Sequence, residues 1–217
     1  MSSKLINFQK KDEKPSKFGM IIFAILSKAS YSTNPQEVLE KFGLLNQFDL
    51  LKEYSNKDVL SVKEKSTENI IIAIRGTDIK NETGNLVRDL VSNYGILTAK
   101  DERVLRINET ETVLNNIIKN YKKENIILTG HSLGAFVASK LSTKYGLKAV
   151  VFNIGSSPAD TTTGKSKDIV QYTTDPLRGK VNLLSVTSTM RDDYRNIRVK
   201  QKPDVPIHSI DNFLPSL

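Results

Sequence analysis

Hydrophobic positions along the chain fall into alternating helical and strand patterns, in an order that predicts a layered α/β protein. Apolar residues from Phe18 to Leu26 ("FGMIIFAIL") and from Val38 to Leu45 recur at helical spacing, with Ser32, Thr33, Asn34 and Pro35 as the break and cap between them. Two β-branched runs follow, "DVLSVK" and "NIIIAIRG", separated by the polar turn "EKSTEN" as in a hairpin or an adjacent strand pair. The second is apolar at consecutive positions, which predicts a strand covered on both faces. Val104, Ile107, Leu114, Ile117, Ile118 and Tyr121 then mark one stripe of a helix. It leads into the strand "NIILTG", a helix from Leu133 to about Tyr145, and the strand "LKAVVFNIG". Strand, helix, strand in this order gives a parallel sheet with helical crossovers, which "DIVQYTT" and "KVNLLSVTS" extend. Residues 1–15 are polar and charged and read as a flexible leader, and 16–217 as one domain.

Composition narrows the chemistry. A chain of 217 residues with 38% hydrophobic content supports one large core. It has no cysteine, so thiolate metal sites, disulfides and cysteine nucleophiles are excluded, and covalent chemistry falls to Ser, Thr or Lys. The run from Phe18 is too short to span a bilayer and stands behind a polar leader without a cleavage site. Neither signal peptide nor membrane span is expected, and a cytoplasmic location is favoured over secretion. The net charge of +8 is mostly scattered lysine, in clusters such as "QKKDEKPSK" and "RVKQKPD". It reads as a solvated surface with a secondary reading of peripheral contact with anionic lipid, worth about 1 kcal/mol per basic group. Basic stripes interleaved with aromatics are absent, so nucleic acid is not an expected partner. The oligomeric state is left open.

One motif carries the functional expectation. "GHSLG", Gly130 to Gly134, follows G-x-S-x-G and stands where a buried strand becomes a helix. Such a turn forces the central residue into strained backbone geometry and crowds its neighbours, so glycines at Gly130 and Gly134 remove side chains that would clash. Ser132 is left exposed as a candidate nucleophile. A serine needs a base, and the chain has two histidines. His131 adjoins Ser132 and diverges from it on a sharp turn, which leaves His208 in "VPIHSIDNF". The acid is sought between Ser132 and His208, where there is no Glu and the candidates are Asp160, Asp168, Asp175, Asp192, Asp193 and Asp204. Asp175 directly follows a strand and precedes Pro176, at the end of the sheet where catalytic groups gather, and is the choice over Asp192 and Asp193. Asp168 precedes its strand and lies at the wrong end. For the oxyanion, the Leu133 amide is one donor, and Gly76 in "IAIRGTD" lets the chain turn so that Thr77 supplies another.

Taken together, "IRGT", "GHSLG", "YTTDP" and "IHS" resemble the class 3 lipases, an α/β-hydrolase family, and "GNLVRDL" is similar to their lid. The likeness runs from about Val59 onward. It implies an α/β-hydrolase-like, mostly parallel central sheet flanked by helices. It further implies hydrolysis of acylglycerols or phospholipids through an acyl-enzyme, without metal or organic cofactor, with a lid across Asp78 to Ala99. Two other readings stay open: a catalytically silent lipid-surface or scaffold protein of the same fold, and a thioesterase or peptidase using the same triad.

Overall fold

The computed structural model describes residues 16–77, 98–155, 168–175 and 195–215. Two helices come first, α1 (Lys17–Ala29) and α2 (Pro35–Lys41), then strands β1 (Phe48–Leu50), β2 (Val59–Glu64) and β3 (Ile70–Ile74). Helix α3 (Thr98–Asn120) leads to β4 (Ile126–His131), α4 (Leu133–Tyr145) and β5 (Lys148–Phe152). With β6 (Ile169–Asp175) and β7 (Arg195–Lys200), the described residues form a seven-stranded sheet whose spatial order equals the chain order. β1, β2 and β3 pair antiparallel, and every later pairing is parallel.

Local chemistry explains the element boundaries. The Ser16 hydroxyl accepts from the Gly19 amide at 3.0 Å and starts α1. Asn34 caps α2, with Pro35 in its first turn. Gly146, with φ of 66°, ends α4 in the left-handed conformation.

The all-apolar β3 sends its side chains alternately to two cores. Ile71 and Ala73 pack on the face covered by α1, with Phe23, Leu26, Phe152 and Phe213. Ile70, Ile72 and Ile74 face the other side, with Leu114 and Ile117 of α3 and Phe136, Val137 and Leu141 of α4. Each fully buried isoleucine is worth about 1.5–3 kcal/mol relative to exposure, so a strand loaded on both faces anchors the sheet centre. β4 lies beside it, with Ile74 opposite Gly130. The C-terminal ends of β3, β4, β5 and β6 therefore share one edge.

Several expectations need adjustment. β1 and β7 were not anticipated: β1 has three residues, and β7 reads "RNIRVK", an edge strand whose alternate positions are exposed. "KVNLLSVTS", the leader, most of the lid segment, Asp160, Asp192 and Asp193 lie outside the described residues. On α3, Val104 is 48% exposed and does not belong to the buried stripe. Arg106 takes the inward place there and pairs with the buried Asp58, while the Arg103 guanidinium stacks 4.8 Å above the Phe136 ring. Among the described residues no helix is long and apolar enough to cross a membrane.

Candidate active site

β4 ends at His131 and α4 begins at Leu133, leaving Ser132 alone at the join with φ of 57° and ψ of −121°. A positive φ on a residue with a β-carbon is strained and persists only where the surroundings enforce it. Three backbone bonds do so here. The Ser132 amide donates to the Phe152 carbonyl at 3.1 Å, and the Ser132 carbonyl accepts from the amides of Phe136 at 3.1 Å and Gly155 at 3.0 Å. The turn is tight enough that a β-carbon on Gly130 would stand 2.5 Å from the Gly134 carbonyl carbon, and one on Gly134 would overlap the Ile74 carbonyl. Both elbow glycines are thus required by close approach. Ser132 occupies the N-cap position of α4, yet its hydroxyl makes no bond to the helix.

That hydroxyl is engaged by a residue distant in sequence. His208 Nε2 lies 2.9 Å from Ser132 Oγ. His208 sits in the segment after β7, where the buried Asn212 amide donates to the carbonyls of Pro206 at 2.8 Å, Ile207 at 3.2 Å and Ser209 at 3.1 Å. Asn153, following β5 with φ of 41°, joins this segment to the sheet. Its Nδ2 donates to Thr174 Oγ1 at 3.1 Å and to the Ile207 carbonyl at 3.4 Å, and its Oδ1 accepts from the Thr174 amide at 2.9 Å. His131 lies between these parts: its Nε2 is 2.5 Å from the His208 carbonyl oxygen, and its Nδ1 is 3.1 Å from the Tyr31 hydroxyl. Burial, with the neighbouring His208 adding to it, pushes the His131 pKa down to about 3, against an opposing effect of the bond to the His208 carbonyl. Burial of the His208 nitrogens likewise pushes that imidazole down to about 4, so at neutral pH it is uncharged and able to accept a proton.

The third expected member stands apart. Asp175 ends β6 at the same sheet edge, but its Oδ1 accepts from Arg198 of β7 at 3.1 Å, and both side chains reach solvent. Among the described residues no carboxylate hydrogen-bonds His208; Asp211, close by in sequence, pairs with Lys28 at 2.5 Å. The structure thus brings Ser132 and His208 together and does not bring Asp175 to them.

On the other side of the hydroxyl, Leu133 opens a helix of 13 residues, so its N–H has no intrahelical acceptor and the positive end of the helix dipole points the same way. Gly76 abuts the elbow: a β-carbon on it would stand 2.6 Å from the His131 carbonyl oxygen and collide with the Tyr31 hydroxyl. Thr77 follows it directly, beside the turn. A residue that sequence reasoning missed completes the site. A β-carbon on Gly155 would stand 3.1 Å from Ser132 Oγ and 3.2 Å from the Leu133 nitrogen, which is where an oxyanion has to sit. Its sequence signal is one glycine in "FNIGSSP", directly after a strand that neighbours the elbow.

Strained serine, uncharged imidazole and helix-end amide form a set able to carry out nucleophilic acyl transfer. The model of one family, described as "Uncharacterised protein family (UPF0227)", matches residues 84–201, just over half of the chain, including the elbow but neither Tyr31 nor His208. No curated protein matches the chain.

Proposed function

The chain belongs to the UPF0227 family, and from the pairing of Ser132 with His208 at the elbow of its sheet we propose that it is a serine carboxylester hydrolase. The observation that carries this reading is the 2.9 Å approach of His208 Nε2 to Ser132 Oγ on a backbone strained for exposure. In the acylation step the Oγ–H proton passes to His208 Nε2 as Oγ bonds to the acyl carbon. The carbonyl oxygen, now negative, is met by the Leu133 amide, with Thr77 as the proposed second donor. Collapse expels the alcohol, which takes the proton from Nε2. Water then repeats the sequence on the acyl-enzyme and restores Ser132.

The likeness to class 3 lipases extends the proposal to lipid acyl esters, acylglycerols or phospholipids, with the lysine excess favouring anionic surfaces. Support for this finer reading is the set "IRGT", "GHSLG" and "IHS", whose serine and histidine meet. A rival reading, a silent protein of the same fold, is favoured by one observation: Arg198, not His208, engages Asp175.

Labelling with a fluorophosphonate, beside a panel of short esters, phospholipids and thioesters, tests the assignment. Wild type should carry one adduct, on Ser132. Ser132→Ala and His208→Ala should each lower turnover by about a million-fold, and together hardly further, as groups acting as a unit do. Folded wild type with an unlabelled Ser132 would sink the reading.

A further inference from the structure

The histidine adjoining the nucleophile, His131, touches the base through its backbone and not the reacting atoms. A carbonyl oxygen only accepts, so the 2.5 Å contact between His131 Nε2 and the His208 carbonyl requires a proton on Nε2. The ring is buried and neutral, so Nδ1 carries no proton and accepts from the Tyr31 hydroxyl at 3.1 Å. That hydroxyl also lies 3.3 Å from the His131 carbonyl, and Gly76 leaves it the room to do so. The Nε2 contact fixes the tautomer, and the single Tyr31 proton is shared between Nδ1 and the His131 carbonyl.

The clamp around His208 has a gap that His131 fills. Of four consecutive carbonyls, those of Pro206, Ile207 and Ser209 are held by Asn212, and the His208 carbonyl alone is left over. His131 takes it. The two rings lie 5.0 Å apart between centroids, so the side chain that fixes the backbone of residue 208 also walls one side of its imidazole.

Resting on the hydrolase reading above, we infer that His131 is a positioning residue: through its Nε2–H, with Tyr31 against Nδ1, it holds the His208 backbone so that the His208 Nε2 meets Ser132 Oγ. The consequence is specific. A base displaced by about 1 Å loses on the order of a hundredfold in rate without weakening substrate binding. The elbow residue next to the nucleophile thus acts on catalysis only through the base.

The test uses full-length protein. His131→Leu, which removes the donor, should lower kcat by about a hundredfold at unchanged KM. His131→Gln, whose amide nitrogen reaches where Nε2 stood, should recover to within about tenfold, and Tyr31→Phe should fall between. In a His208→Ala background His131→Leu should cost less than about threefold, because the group it acts through is gone. Wild-type kcat in His131→Leu, or an equal loss in both backgrounds, overturns the inference. Nitrogen-15 spectra of labelled histidines read the clamp without turnover. With two rings in the chain, His131 should show a slowly exchanging Nε2–H, and the His208 signals should move in His131→Leu. An Nδ1–H tautomer overturns the inference even in an active enzyme. A wild type that shows the Nε2–H clamp but neither turnover nor labelling sinks the hydrolase reading and upholds the clamp.

Discussion

Gly155 lies against Ser132 so closely that a single methyl group on it would sit 3.1 Å from the nucleophilic oxygen. The space it leaves empty borders the Leu133 amide, where negative charge develops during acyl transfer. Gly155→Ala should therefore act as the loss of an oxyanion donor does, lowering kcat by about a hundred- to a thousand-fold. Its φ lies outside the left-handed region, so the fold should tolerate the change. A melting curve taken beside ester turnover checks this, and a stable variant with full activity would remove Gly155 from the site.

Asp175 and His208 invite a second experiment. Where an aspartate orients the imidazole, replacing it by asparagine lowers kcat by about ten-thousand-fold through the wrong tautomer. Here Arg198 holds the carboxylate at a solvent-exposed edge, an arrangement worth about 0–1 kcal/mol in stability. Asp175→Asn should cost less than about tenfold in kcat and leave the melting temperature nearly unchanged. A loss of several thousandfold would show that the carboxylate reaches His208 during turnover.

The pH response follows from two depressed imidazoles. In the unfolded chain a histidine takes up its proton near pH 6.5, whereas in the fold His208 does so at about 4 and His131 at about 3. Between those limits the unfolded chain binds protons that the folded chain refuses, so stability is lost as pH falls from 6.5 and the loss levels off below about 3. Melting temperature should decline across that window, and less steeply in His131→Gln. His208 stays neutral down to about pH 4, so the acid limb of kcat/KM should have an apparent pKa below 6. A limb at 7 would mean that a negative charge faces the ring.

Which parts of this were legible in the sequence follows from how local each signal is. The elbow was readable because strand, turn and helix are contiguous in "NIILTGHSLGAFVAS", and Gly130 and Gly134 are required by contacts within or beside that stretch. His208 was readable by elimination, since the other histidine is fixed next to the nucleophile. Gly155, Asn153 and Asn212 were not, because their roles exist only after β5 pairs with β4 and the segment after β7 folds back. The choice of Asp175 shows the limit most clearly. Its place at the strand end was inferred correctly, but its partner Arg198 comes from β7, whose basic residues read as part of a solvated charge cluster. A side chain's position followed from its own strand, and its hydrogen bond from a neighbour that the pattern did not reveal.

The segment that carries His208 has a consequence for the order in which activity emerges. It docks on the finished sheet through Asn153, His131 and the buried Phe213 rather than through strand pairing of its own. During refolding from denaturant, backbone signals from the sheet report one event and the return of serine reactivity another. The protein is expected to pass through an interval in which it looks assembled by circular dichroism yet remains chemically inert, until the late-docking segment delivers its ring.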